Sequence, residues 1–168
     1  MNHASTSGPV LAIHPTTQGF GYVLMASPLS PIDWGTREAR GRNKNAACIK
    51  KVAHLIDAHQ PDAIILEDPT AQGSRRSARI RRLSWAIATL AGDRAVDVHA
   101  YPRRMVHERF ARVGARTGYE IATAIAMSVP AFERFLPPPR KIWMSEHPRM
   151  SIFMAAALAA VFFEAQDG

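Results

Sequence analysis

The order of apolar segments along the chain restricts its fold more than any other feature of the sequence. Three short apolar segments, residues 10–13, 19–26 and 32–39, follow one another with only brief polar turns between them. Compact apolar runs bounded by turn residues predict β-strands, and short connections between strands predict an antiparallel meander. The first part of the chain is therefore expected to form three neighbouring strands.

A helix and a further strand follow the meander. Apolar side chains recur at helical spacing up to His59, before the helix-ending Pro61, and either Asn43 or Asn45 can cap this helix. Residues 63–66 form a compact apolar run, which predicts a buried fourth strand.

The same alternation continues towards the carboxyl end. A loop containing Gly73 and Ser74 leads to a second helix over residues 77–91 and then to a fifth strand over residues 96–101. Two short helices are expected next, the second of them capped by Thr117.

The last part of the chain combines an irregular segment with an apolar helix. Residues 136–150 are rich in proline and predict irregular structure, and a helix begins at about Ser151. This helix is apolar on nearly every side, so it should be buried. The whole order, β-β-β-α-β-α-β-α, predicts an α/β fold with a mixed five-strand sheet and helices on both faces, in which the first strand is central and lies beside the fourth.

Length and composition predict one compact domain. A chain of 168 residues suits a single core, with residues 1–9 as a flexible tail and residues 10–168 as the domain. Cys48 is the single cysteine, which excludes an internal disulfide and a multi-cysteine zinc site. The longest apolar run, residues 152–163, is too short to span a bilayer, and no signal peptide is recognisable. We therefore expect a cytoplasmic protein without a membrane partner.

The charge of the chain favours a polyanionic partner. The net charge is +7, and 17 of the 21 cationic side chains are arginine. The planar guanidinium matches phosphate oxygens, so this balance is typical of proteins that bind nucleic acid. A GC-rich genome would produce the same arginine bias.

The arginines fall into three groups along the sequence. Arg75, Arg79 and Arg82 share one flank of the second helix, which predicts a row of phosphate contacts, although a solvated helix face would look the same. The other candidate nucleic-acid contacts are Arg76, Arg103, Arg104, Arg140 and Lys141. Trp143 lies among the last of these cations and could stack on an unpaired base or simply pack in the fold.

Several segments resemble the RuvC Holliday-junction resolvases of the RNase H-like superfamily. They are Ile13-His14-Pro15, Gly19-Phe20-Gly21-Tyr22, residues 61–67, residues 103–114 with Tyr119-Glu120, and the last helix with Pro148 before it. The resemblance covers almost the whole chain in element order, and it implies an RNase H-like domain, a DNA substrate with branches or other structure, and a possible homodimer.

The resemblance also implies a metal site, which this sequence largely lacks. In the family, four carboxylates hold two Mg²⁺ ions that activate water at a phosphodiester. The corresponding positions here are His14, Glu67, Ser151 and Met154, so Glu67 is the one acid among them. A methionine thioether is a poor ligand for Mg²⁺, which prefers oxygen.

Nearby residues could form a substitute site. Asp68 follows Glu67, and Glu146 and His147 precede the last helix, so these residues and His14 are candidate catalytic groups. Glu67, His14 and His147 could hold one divalent metal, Mg²⁺ or Mn²⁺, with Zn²⁺ also suited to the histidines. Alternatively, His14 is a core histidine, and Glu146 and His147 are solvated loop residues.

Two functions remain open from the sequence. The first is a metal-dependent endonuclease that cuts branched or structured DNA through an atypical metal site. The second is a catalytically degenerate RNase H-like domain that binds nucleic acid, or a protein complex, without cutting. Any cleavage should require Glu67 with His14 or His147, and should fall at acid pH as the histidines protonate near their usual pKa of about 6.5.

Overall fold

The computed structural model describes residues 8–71 and 74–167. Most of the predicted N-terminal tail and the loop residue Gly73 therefore lie outside the described residues. The strands are β1 (Val10–Pro15), β2 (Gly19–Ser27), β3 (Ser30–Glu38), β4 (Ala63–Glu67) and β5 (Asp97–Tyr101). The helices are α1 (Lys44–His59), α2 (Ala78–Asp93), α3 (Arg103–Ala111), α4 (Gly118–Ser128), a 3₁₀ helix (Pro130–Phe135) and α5 (Met150–Asp167).

The five strands form one mixed sheet in the order β3-β2-β1-β4-β5. β1 is central, antiparallel to β2 and parallel to β4. This arrangement follows from the connections, because tight turns join antiparallel strands whereas a helical crossover returns the chain parallel to its start. The predicted fold and the position of the first strand beside the fourth are confirmed.

Alternation along β1 divides the interior into two cores. Leu11 and Ile13 belong to the core that α1 and α2 cover. Val10 and Ala12 belong to the core on the opposite face, which α3, α4 and α5 cover. Because successive side chains of a strand point to opposite faces, a strand buried on both sides must be apolar throughout, as β1 is up to His14.

The helix starts agree with their predicted caps. Asn43, the first of the two proposed caps, accepts a hydrogen bond from the Ala46 amide at 3.0 Å. Thr117 caps α4 in a reciprocal capping box with Glu120. The 3₁₀ helix was not predicted; it begins at Pro130, which suits a first helical position, and it packs Phe132 against Trp34 with a ring-centroid distance of 5.2 Å.

α5 is the central helix of its face and lies against β1, β2, β4 and α4. Its contact with β2 is close: a Cβ atom placed on Gly21 would lie 2.2 Å from the Ser151 hydroxyl. Over its 18 residues α5 is long and apolar enough to cross a membrane, contrary to the expectation from the shorter apolar run. However, 61% of that window is buried inside the fold, as expected for a core helix of a folded domain.

Candidate nucleic-acid interface

His14 and Glu67 lie at the same edge of the sheet and on the same face. Ala12 of β1 pairs with Ile65 of β4 in parallel register. Two residues further along each strand, the same register brings His14 level with Glu67, on the face that α5 covers. The sequence placed both residues at the carboxyl ends of adjacent strands, and the structure agrees.

Glu67 is paired with an arginine from the loop before α2. The Arg76 Nε atom lies 3.4 Å from a Glu67 carboxylate oxygen, and both side chains are mostly buried, with 22% and 13% exposure. Arg76 also donates a hydrogen bond to the Pro15 carbonyl at the end of β1. Burial lowers the pKa of Arg76 and the Glu67 carboxylate opposes this, so the guanidinium remains charged and neutralises Glu67.

His14 is a neutral histidine in a cationic environment. Burial is the largest cause that lowers its pKa to about 3, and the charges of Arg76 and Arg103 lower it further. The expectation that His14 would protonate near pH 6.5 is therefore wrong. The physical reason is that an imidazolium at this edge would lose its hydration and face two guanidinium groups.

The first turn of α5 supplies no negative charge. Ser151 is buried, and its hydroxyl donates a hydrogen bond of 2.7 Å to the Pro148 carbonyl. Met154 is partly buried and packs against the α5-side core. Both positions that are acidic in the resolvase pattern thus serve the local structure of the helix.

The proposed substitute acids are engaged elsewhere or exposed. The Asp68 carboxylate closes its own turn by accepting hydrogen bonds from the Thr70 amide at 2.9 Å and the Thr70 hydroxyl at 2.7 Å. Glu146 and His147 are exposed, and the His147 Nδ1 atom accepts a hydrogen bond from the Arg149 amide.

The residues do not assemble a metal site. Within residues 8–71 and 74–167, no three His, Cys, Asp or Glu side chains are grouped to hold a metal ion. The mixed site of His14, Glu67 and His147 is therefore not formed among these residues: Arg76 is paired with Glu67, and His147 is exposed. One paired carboxylate cannot offset two divalent ions, so the donor set does not fit a pair of Mg²⁺ ions.

Two cavities meet at Arg76. The first, which we call the basic cleft, has a volume of about 890 Å³ and lies between the β4–α2 loop and the start of α3. It is lined by the carboxylates Glu67 and Asp68 and by the cations or potential cations Arg75, Arg76, Arg103, Arg104 and His107. The second cavity has a volume of about 350 Å³, and Arg76, His14, Glu146, His147 and Ser151 are among the residues that line it.

The predicted row of Arg75, Arg79 and Arg82 is only partly present. Arg79 donates hydrogen bonds to the Asn45 side chain at 3.0 Å and to the Thr16 carbonyl at 2.9 Å, so it ties α2 to α1 and to the β1–β2 turn. Arg82 is exposed on α2, and Arg75 lines the basic cleft. Arg79 thus has a structural role at the start of α2, and its phosphate contact stays a prediction.

The proline-rich segment presents a basic and aromatic tip. Arg140 and Lys141 are exposed, and Trp143 is 76% exposed. The Lys141 Nζ atom lies 5.3 Å from the centroid of the Trp143 ring, a cation–π distance. Packing of Trp143 in the core, one of the two interpretations left open by the sequence, is therefore wrong.

Sequence reasoning missed two groups of polar residues. His107 lines the basic cleft and accepts a hydrogen bond from Arg103 at 3.2 Å; its spacing of four residues from Arg103 could have signalled this. The second group, which we call the Tyr22 cluster, consists of Tyr22, Asp33, Arg37 and His59 and links β2, β3 and α1. Asp33 and Arg37 lie four residues apart on β3, but Tyr22 and His59 come from other elements, so no local pattern joins all four.

Comparison with known proteins agrees with the architecture. The mixed five-strand sheet with helices on both faces is the RNase H-like α/β fold in its RuvC form. No protein-family model matches the sequence, and no curated protein matches it either.

Three solved structures illustrate the likeness. Thermus thermophilus RuvC in complex with a Holliday junction substrate is 16% identical, with a TM-score of 0.67 over 96% of each chain. A further structure of Thermus thermophilus RuvC is 19% identical, with a TM-score of 0.66 over 95% of this chain and 96% of that one. The yeast mitochondrial Holliday junction resolvase Ydc2 is 11% identical, with a TM-score of 0.67 over 96% of this chain and 80% of that one. At these identities the likeness defines the fold.

Proposed function

We propose that this protein binds branched or structured DNA through the basic cleft and does not cut it by a two-metal mechanism. The observation that carries the proposal is the pairing of Glu67 with Arg76 at the sheet edge, 3.4 Å apart. This pairing neutralises the carboxylate at the position where the resolvase pattern has a metal ligand, and the positive charge of the cleft comes from the other arginines, Arg75, Arg103 and Arg104.

The charges lining the basic cleft support an anionic ligand. Four arginines line it, against two carboxylates. Glu67 is already neutralised by Arg76, and Asp68 accepts hydrogen bonds from its own turn. Arg104 also contacts Glu108 at 3.7 Å, but both side chains are largely exposed, so this pair is weak and can exchange for a phosphate contact. The surplus of guanidinium groups therefore favours a phosphate backbone.

The branched character of the DNA is supported by the neighbouring fold and by the exposed loop tip. One structural neighbour was solved with a Holliday junction substrate. Trp143, with Lys141 beside it, offers an aromatic face to base pairs that lack a stacking neighbour, as the pairs that flank an open branch point do. Duplex DNA without a branch offers no free base face to such a side chain.

A metal-dependent endonuclease is the second candidate, and one observation favours it. The low pKa of His14 keeps its imidazole neutral, and a neutral imidazole level with Glu67 could ligate a transition metal such as Mn²⁺. This candidate requires Arg76 to leave Glu67. A homodimer and a cytoplasmic location remain predictions for either function.

The test compares binding and cutting on matched DNAs. Fluorescence anisotropy should show tighter binding to an immobile four-way junction than to a linear duplex of the same sequences, with affinity falling steeply as salt rises. Incubation with Mg²⁺, Mn²⁺ or Zn²⁺ should leave the junction strands intact on a denaturing gel. Mg²⁺-dependent nicking by the wild type that disappears in Glu67→Gln would refute the non-cutting proposal and favour the endonuclease.

A further inference from the structure

Arg76 lies in the loop directly before the cap of α2. Its side chain is 22% exposed and turns back towards the sheet, where it contacts the Glu67 carboxylate and the Pro15 carbonyl. These two contacts join the ends of β4 and β1, the strands that carry Glu67 and His14. The guanidinium therefore lies at the point where a bound cation would bridge the two strand ends.

The same guanidinium borders both cavities of this edge. It lines the basic cleft together with Arg75 and Arg103, and it lines the second cavity together with His14 and Ser151. Glu67 and Pro15 contact its guanidinium, and the residue also lines both cavities. A guanidinium has five N–H donors, so contacts with one carboxylate and one carbonyl leave capacity for a further anion.

We propose that Arg76 is a built-in substitute for a metal ion, which holds one DNA phosphate between the two cavities without any divalent cation. This inference rests on the proposed DNA binding and deepens it by naming the group that is recognised. Arg103, on the opposite wall of the basic cleft, supplies the second guanidinium. Glu67 is a positioning residue for Arg76, and its role is to hold the guanidinium at the strand ends.

The electrostatics of the site are consistent with this assignment. The positive charges of Arg76 and Arg103 both lower the pKa of His14. Both guanidinium groups therefore lie near the same imidazole. Glu67 pairs with Arg76, and the charge of Glu146 also acts on it, so the positive charge open to an anion is greatest on the side of Arg103 and Arg75, in the basic cleft. A phosphate held there would form charge-assisted hydrogen bonds of the bidentate kind that arginine favours.

The first experiment measures junction binding in EDTA and in Mg²⁺ for Arg76→Met and for a control, Arg134→Met. The control removes the same charge from an exposed residue of the 3₁₀ helix, away from both cavities. Wild-type affinity should be the same in EDTA and in Mg²⁺ at equal ionic strength. Arg76→Met should weaken binding about tenfold more than the control and reduce the salt dependence by about one phosphate contact.

Two further variants separate the role of Glu67 from a metal-binding role. Glu67→Gln should keep junction affinity in EDTA, because the glutamine side-chain oxygen can still accept a hydrogen bond from Arg76 and so keep it in position. The double variant Arg76→Met/Glu67→Gln leaves no unpaired buried charge, so it should fold as the wild type does and still bind weakly. Equal binding by Arg76→Met and Arg134→Met, or wild-type binding that requires Mg²⁺, would overturn the inference.

A second measurement does not depend on DNA binding. Inorganic phosphate is titrated in EDTA while the arginine Nε–H signals are followed by NMR. The signals of Arg76 and Arg103 should shift at millimolar phosphate, ahead of the Arg134 signal. If the wild type does not bind the junction, the proposed function fails, yet these shifts would still support a phosphate site at Arg76. Uniform shifts across all three arginines would contradict it.

Discussion

The basic cleft and the Tyr22 cluster are built from similar residue types but differ in the balance of their charges. In the Tyr22 cluster, Arg37 donates to the Tyr22 hydroxyl at 2.9 Å, and that hydroxyl donates to Asp33 at 3.0 Å. His59 lies 3.1 Å from the same carboxylate. One arginine and one aspartate are thus joined through the Tyr22 hydroxyl, and their charges balance.

The basic cleft has no such balance. Arginines outnumber carboxylates there by four to two, and one carboxylate is occupied by its own turn. A balanced polar cluster stabilises the fold, whereas surplus charge around an open cavity requires a ligand or solvent to satisfy it. Residue types alone therefore do not separate a structural cluster from a binding site; the count of opposite charges and the open space around them do.

The largest expected loss of stability comes from a substitution at Gly21, where β2 meets α5. This position is next to Tyr22 in sequence and beside Ser151, which lines the second cavity. Gly21→Val should destabilise the protein by about 3 kcal/mol, because a side chain there would collide with Ser151 of α5. The free energy of unfolding from urea titration measures the loss. The control is Gly92→Ala in α2, where a Cβ meets no atom within 4 Å. Alanine should stabilise that helix by up to about 1 kcal/mol. Equal stabilities would refute the close α5–β2 contact.

The next effect tests whether the Tyr22 cluster is purely structural. Tyr22→Phe removes the hydroxyl that joins Arg37 to Asp33, and should cost about 1 kcal/mol of stability. Junction affinity should not change, since the cluster has no role in the proposed binding. Urea titration and anisotropy on the same preparation check both statements. A loss of affinity comparable to that of Arg76→Met would show that the two regions are not separate.

Some of the contacts behind these predictions could be predicted from the sequence, and others could not. Strand order, the Asn43 and Thr117 caps and the buried final helix were predictable, because each depends on local periodicity or on a cap within a few residues. The Glu67–Arg76 pair depends on how the β4–α2 loop turns back on the sheet. The residue spacing of that loop does not predict which of the adjacent residues Arg75 and Arg76 faces the sheet.

Helical spacing was also misleading for one candidate residue. It grouped Arg79 with Arg75 and Arg82 on a solvent-facing flank, but Asn45 of another helix and the Thr16 carbonyl bind its guanidinium. Such contacts join residues 34 and 63 positions apart, so only the tertiary structure reveals them. The turn closed by Asp68 and Thr70 was in principle visible, since an aspartate followed by Pro-Thr is a common turn sequence.

A smaller effect is the loss of folding stability at acid pH that is caused by His14. The pKa of His14 is about 3 in the folded protein, against about 6.5 when unfolded, so the unfolded chain binds the extra proton in between. Stability from this group is therefore present above pH 6.5 and is lost as the pH falls from about 6.5 towards 3, by at most about 1.4 kcal/mol per pH unit.

His14→Asn should flatten the stability profile over that window, as measured by urea titrations from neutral to acid pH. His147→Asn is the matched control, because His147 is exposed. The His14 assignment is wrong if the two variants and the wild type lose stability in parallel.

The smallest effect is expected at the exposed loop tip. Trp143→Ala should weaken binding to the four-way junction by about threefold, since one partial stacking contact is lost, and should leave linear duplex binding unchanged. Met144→Ala, at the neighbouring and also exposed position, should change neither. Competition between junction and duplex in one reaction measures the ratio directly. An equal loss on both DNAs would assign Trp143 to general backbone contact.

The central position of β1 has a consequence for the order in which the molecule folds. β1 pairs with β2 through a short turn, with Pro15 opposite Phe20, whereas its pairing with β4 joins Val10 to Ala63 across a long intervening segment. Closing a long loop costs more chain entropy than closing a short one, so the meander can form early while the β1–β4 pair forms late.

The basic cleft needs β4, the start of α2 and the start of α3, and the second cavity needs the start of α5. The Tyr22 cluster draws three of its four residues from the meander. In hydrogen-exchange labelling during refolding, the β2 and β3 amides should therefore become protected before those of β4. The edge proposed to bind DNA should be the last part of the molecule to form.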